Sequence, residues 1–205
     1  MAHLLFIRPA DDSAAGCIAT VGQSVLLLTT GFTTTDLYGA HQAHRAQVDA
    51  ELPRATSVFY FGHGSDTELV ANNTALIDQQ NIATLGGGIV IAIACYAAET
   101  LGPAAVQTPN VEAFLGFDDE FGIPLLAPFP MAMAVVDGLR GLLTQGDDIG
   151  SAANEMHQGF ARARVDYKTN GLSYGLSVSD ARTAWLFAKS NQYSVCLHGN
   201  TTAKL

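Results

Sequence analysis

Two unbroken apolar runs dominate the pattern of the chain. Val58-Phe59-Tyr60-Phe61 leads into Gly62-His63-Gly64, and Ile89-Val90-Ile91-Ala92-Ile93 leads into Ala94-Cys95-Tyr96. Both are β-branched or aromatic without polar interruption, the mark of strands buried on both faces of a parallel sheet. Val111 to Phe117 repeats that style, and His3 to Ile7 predicts a first strand, stopped by Pro9 and Asp11-Asp12-Ser13. Cys17 to Val21 and Ser24 to Thr30 predict two extended pieces paired around Gly22-Gln23. Asp36 is an N-cap candidate for a helix running to about Leu52 and closed by Pro53.

Ser65 to Leu85 is polar and turn-rich, with room for one irregular helix, and Gly86-Gly87-Gly88 launches the strand before Cys95. A helix from about Tyr96 to Val106, interrupted at Gly102-Pro103, is expected directly after the cysteine. Pro124 to Leu143 and Ile149 to Tyr167 predict two long helices split by Gly146-Asp147-Asp148. Ala184 to Ala188 and Tyr193 to Leu197 suggest a terminal hairpin. The whole predicts one α/β domain over residues 1–205, a three-layer sandwich with a mostly parallel central sheet flanked by helices.

Composition narrows the partners. With 48% apolar and 14% charged residues the chain can build a substantial core. A net charge of −9 without a basic run gives no footprint for nucleic acid. No apolar stretch reaches the roughly 20 residues of a membrane span. Leu4-Leu5-Phe6-Ile7 is too early and too short for a signal peptide. Together with three scattered cysteines, Cys17, Cys95 and Cys196, this leads us to expect a cytoplasmic protein with reduced thiols.

Ligands and reactive groups of open α/β sheets gather at the carboxyl ends of the strands. If the two dominant strands are parallel neighbours, His63 and Cys95 leave the same edge, and a thiol beside an imidazole is an activated nucleophile. His41 and His44, three apart, form a weak metal pair with no acidic third ligand at a recognisable spacing. Neither a Gly-x-Ser-x-Gly elbow nor a phosphate loop occurs.

A buried strand before His63-Gly64 and a second before Cys95, 32 positions on, resembles the caspase-like cysteine peptidases, a superfamily including caspases, metacaspases, gingipains and CHAT domains. The likeness touches most of the chain from about residue 55 and is weaker before it. It implies Cys95 as nucleophile, His63 as general base and acid, and the N–H groups of Gly64 and Cys95 as the oxyanion hole. A thiol at the start of a Tyr96 helix would also have its pKa lowered by the helix dipole. In that superfamily the pocket before the scissile bond is lined from the end of the first strand and from loops after the cysteine. Those regions hold Arg8, Asp11 and Asp12, then Asp118, Asp119 and Glu120. Arg8 would select an acidic residue; Asp118 and Asp119, backed by Glu120, favour Arg or Lys. Asp66 is a possible orienting partner for His63, with a turn role preferred.

The reading is thus a thiol endopeptidase acting on a protein or peptide through a thioester acyl-enzyme. It needs no organic cofactor, and the resemblance leaves room for a calcium ion or a regulatory protein partner. By family analogy, a role in bacterial defence is a further expectation. Two alternatives stay open: a catalytically silent caspase-like module that binds a partner, and a thiol amidohydrolase acting on small amides.

Overall fold

The computed structural model describes residues 2–205. In chain order the first elements are β1 (His3–Arg8), α1 (Ser13–Leu26), β2 (Thr33–Tyr38), α2 (Gly39–Gln42), α3 (Arg45–Glu51) and β3 (Ser57–Phe61). A small antiparallel sheet follows, β4 (His63–Gly64), β5 (Glu68–Ala71) and β6 (Thr74–Asp78), with α4 (Gln79–Ile82) behind it. Then come β7 (Gly88–Ile93), α5 (Leu101–Ala105), β8 (Val111–Phe117), α6 (Phe129–Thr144), α7 (Ile149–Asn170), α8 (Val178–Ser194) and β9 (Val195–Gly199). The main sheet has the order β2-β1-β3-β7-β8-β9, parallel throughout except for β9.

Alternation along each strand divides the core into two. Leu4, Phe6, Phe59, Phe61, Ile89, Ile91 and Ile93 face α1, α6, α7 and α8. Leu5, Ile7, Val58, Tyr60, Val90 and Ala92 face the side of Val48, Ile82, Leu101 and the small sheet. Side chains of a strand point to opposite faces in turn, so both faces of an all-apolar strand are buried and the sandwich has three layers. Among the described residues no helix is long and apolar enough to cross a membrane.

Several local expectations give way. The predicted Cys17–Thr30 hairpin is the single helix α1. Ala15, Ile18, Ala19, Gly22 and Val25 are buried on one helical face, and Asp12 caps its start. Gly22 is needed there, because a Cβ would fall 2.7 Å from both Arg8 Cδ and the Phe61 ring. Asp36 lies in strand β2, and the helix expected after it breaks into the short α2 and α3, the latter capped by His44. Ser65–Leu85 holds the β5–β6 hairpin, turned by Asn72 and Asn73 at φ 48° and 57°. Two adjacent left-handed residues match the twist of paired strands. The expected terminal hairpin is helix α8 running into β9, which closes the sheet antiparallel to β8. α8 exposes Val178, Leu186 and Tyr193 and buries Asn191 and Gln192, so no clean apolar stripe betrays it.

Candidate active site

Four strand ends meet at one edge of the main sheet. β1 is followed by Asp11 and Asp12, β3 by His63, β7 by Cys95, and β8 by Asp118–Glu120. Because α1 lies on one face and α3 on the other, the connections diverge between β1 and β3, the switch point where crevices of open sheets form. Phe61 pairs with Ile93, and the Gly62 N–H donates to the Ile93 carbonyl at 3.3 Å. His63 and Cys95 therefore stand the same two residues beyond a matched pair. A Cβ at Gly64 would lie 2.7 Å from the Cys95 carbonyl oxygen and 2.9 Å from the Ala94 Cβ. The chain after the imidazole thus runs directly against the backbone of the cysteine, an approach open to glycine alone.

The imidazole has a partner that no local pattern announces. His63 Nε2 lies 2.9 Å from Asp12 Oδ2. The other oxygen of Asp12 accepts the Ala15 N–H at 2.8 Å, so the α1 cap holds the carboxylate in place. That N–H, and secondly His63, keep the Asp12 carboxyl below its ordinary pKa. With Nε2–H donating to Asp12, the basic lone pair of a neutral ring sits on Nδ1. In the sequence Asp12 stood out only as a polar residue ending the first strand and, with Arg8 and Asp11, among the residues of the expected substrate pocket. Asp66, the alternative, has no side-chain bond to the His63 ring, and its backbone carbonyl accepts the Leu101 N–H at 2.7 Å.

Cys95 is half-buried, and its Sγ reaches the Phe121 carbonyl at 3.7 Å. Burial is the main influence that pushes its pKa up, and the charges of Glu120 and Asp119 add to it. The expected lowering by a helix dipole fails, because residues 96–100 form turns and α5 starts only at Leu101. The reason lies in the backbone. Tyr96 adopts a left-handed φ of 55°, its N–H donates to the Asp119 carbonyl at 3.0 Å, and the Ala98 N–H donates to Phe117 at 2.9 Å. Donors that would start a helix are tied to β8 and the loop after it. A bulky residue in that conformation stores about 1–3 kcal/mol of strain, and such residues cluster at functional sites.

The acidic residues after β8 border an open cleft of about 350 Å³ lined by Asp118, Asp119, Leu186, Lys189 and Tyr193. Asp119 Oδ2 accepts the Ser190 hydroxyl at 3.3 Å. Arg8 does not join them. It is 3% exposed, and its guanidinium donates to both Asp36 oxygens at 2.8 and 2.6 Å, to the Ala19 carbonyl and to Gln23. It ties β1, β2 and α1 together from inside the fold, so the expectation of a substrate-binding Arg8 is set aside.

A second thiol and imidazole, Cys196 Sγ and His198 Nε2, lie 3.3 Å apart. The same nitrogen faces the Ala98 carbonyl at 2.8 Å, so it carries the hydrogen and cannot accept one from the thiol. Among the described residues no group of three or more His, Cys, Asp or Glu converges as a metal set.

The six-stranded, mostly parallel sheet with helices on both faces is the caspase-like α/β fold. The arginine-specific cysteine proteinase gingipain R superimposes on it with a TM-score of 0.58 and 13% identity over 99% of this chain and 47% of that one. The complex of Porphyromonas gingivalis RgpB pro- and mature domains gives a TM-score of 0.57 and 11% identity over 99% and 48%. The chain thus spans about half the length of either structure. No family model and no curated protein matches the sequence.

Proposed function

We propose that this chain is a cysteine endopeptidase in which Cys95 is the nucleophile, His63 the general base and acid, and Asp12 the residue that orients His63. The observation that carries the reading is the convergence, at one sheet edge, of the Cys95 segment with Gly64 and of His63 with Asp12. Because burial and the neighbouring carboxylates keep the resting thiol protonated, attack needs a base. His63 takes the thiol proton as sulfur adds to the substrate carbonyl carbon. The N–H groups of Gly64 and Cys95 receive the negative charge that develops on the oxygen. The carbonyl then re-forms, the C–N bond breaks, and the imidazolium gives its proton to the leaving amine. Water, deprotonated by His63, attacks the thioester, releases the acid and restores the thiol.

Asp118 and Asp119 in the neighbouring cleft favour an Arg or Lys before the scissile bond, through charge-assisted pairing. The gingipain likeness supports the same preference and, through the pro-domain complex, a regulatory protein partner. A fluorogenic peptide library varied at that position, run beside Cys95→Ala, tests the reading. Cleavage after basic residues that vanishes in the variant is expected; cleavage that survives it refutes Cys95 as nucleophile. A protonated, half-buried thiol also suits a caspase-like module without peptidase activity, which predicts that Cys95→Ala leaves partner binding intact.

A further inference from the structure

The cations of this acidic chain are unevenly paired. Arg8, Arg45, Arg54, Arg140 and Arg162 each hold a carboxylate. Arg164, Lys168, Arg182, Lys189 and Lys204 make no ion pair among the described residues, and all but Lys204 stand on α7 and α8. Lys168 and Arg182 border a groove of about 350 Å³ between the end of α7 and the start of α8, walled by Tyr167, Leu172, Val178 and Trp185. Leu172 and Val178 are 64% and 75% exposed. A chain of net charge −9 repels acidic proteins in general, so unpaired cations around bare apolar side chains mark the place where an acidic, partly apolar segment is accepted.

The groove and the acidic cleft lie along the same helix and adjoin at one contact. Lys189 lines that cleft, and its Nζ lies 5.6 Å from the centre of the Trp185 ring in the groove. From Arg182 to Ser190 the helix rises about 12 Å at ~1.5 Å per residue, a span an extended peptide covers in about four residues. One peptide can therefore place a basic residue beside Asp118 and Asp119 and an acidic, apolar segment between Lys168 and Arg182.

We propose that the α7–α8 groove is an exosite for an acidic, apolar-anchored segment of the protein substrate, lying about four residues from the basic residue in the cleft. The word substrate rests on the peptidase reading; the groove and its chemistry do not. Trp185 is the sole tryptophan of the chain, so its emission reports the groove directly.

The test titrates the full Cys95→Ala chain with the peptide acetyl-Glu-Leu-Asp-Glu-Leu-Phe-amide and with its counterpart carrying Lys at the acidic positions. A saturable change in Trp185 emission is expected with the acidic peptide only. Arg182→Glu and Lys168→Glu, both exposed positions, should each weaken it about tenfold, and added salt should weaken it in the intact chain. No emission change, or equal binding of the lysine peptide, overturns the exosite. In the active chain, a cleavable basic peptide carrying the acidic segment four residues away should show a KM about tenfold lower than one without it, at equal kcat. Loss of turnover on both peptides defeats the peptidase reading while Trp185 emission still decides the groove. Binding without the KM gain overturns the assignment to substrate.

Discussion

Asp12 has two jobs, and asparagine separates them. Its carboxylate caps α1 through Ala15 and accepts from His63 Nε2. Asparagine caps about as well as aspartate, so Asp12→Asn should change stability by less than about 0.5 kcal/mol. Alanine loses the cap, about 1 kcal/mol, or roughly 2–4 °C in Tm for a chain of this size. The ion pair itself adds little, because the His63 and Asp12 side chains are 35% and 56% exposed and water screens them. Catalysis is another matter. If the asparagine amide turns an N–H toward Nε2, the hydrogen moves to Nδ1, and in the proposed mechanism the ring has no free basic nitrogen left to take the thiol proton.

In a buried triad this tautomer change costs about 10⁴-fold in kcat; in this half-solvated pair we expect about 10²-fold. The assay is kcat/KM on the best library peptide, beside thermal melts of both variants. Activity of Asp12→Asn within twofold of the parent, with a lower melt for Asp12→Ala alone, would show that Asp12 is only a cap. The pH dependence has a defined sign. Since the carboxyl is held below its ordinary value, its stabilising contribution is complete above about pH 4 and is lost as pH falls through the lower folded value. Asp12 is therefore ionised and able to orient His63 throughout neutral pH.

Arg8→Met leaves Asp36 without its buried partner and should cost about 3 kcal/mol, or roughly 6–12 °C in Tm; a shift under 2 °C would contradict the structural role. Iodoacetamide should label Cys95 slowly at pH 7 and about tenfold faster per pH unit up to pH 9, with Glu120→Gln accelerating it. A rate that is flat between pH 6 and 8 would mean an already ionised thiol. Gly64→Ala drives a methyl into the Cys95 carbonyl and should cost about 1–3 kcal/mol in a denaturant melt; an unchanged midpoint would refute the close approach.

Strands buried on both faces announce themselves in any short window, which is why β1, β3, β7 and β8 were legible within a residue or so. The long helix α7 was legible for the same local reason, and so was α6 except at its start, which lies at Phe129 and not at the expected Pro124. Elements that depend on what lies beside them were not. The Thr33-Thr34-Thr35 run becomes a strand only because β1 offers a free edge, with Thr34 opposite Leu4. α1 mixes β-branched Ile18, Val21 and Val25 with small Ala15, Ala19 and Gly22 that bring it close to the sheet, and that mixture imitates a turn-broken hairpin. α8 carries polar residues inward, Asn191 bonding both the N–H and the carbonyl of Gly122.

The same division runs through the candidate site. Sequence by itself determined the buried strands and the chemical residues at their ends, His63 and Cys95, because hydrophobic period and strand termination are local properties. Only the tertiary structure decided that β1 lies beside β3, which brings Asp12 across 51 residues to His63. It also decided that Tyr96 turns the chain back to β8 instead of starting a helix, so the thiol pKa moves up and not down. Strand order and backbone hydrogen-bond partners are set by contacts far apart in the chain, and no window of sequence contains both sides of such a contact.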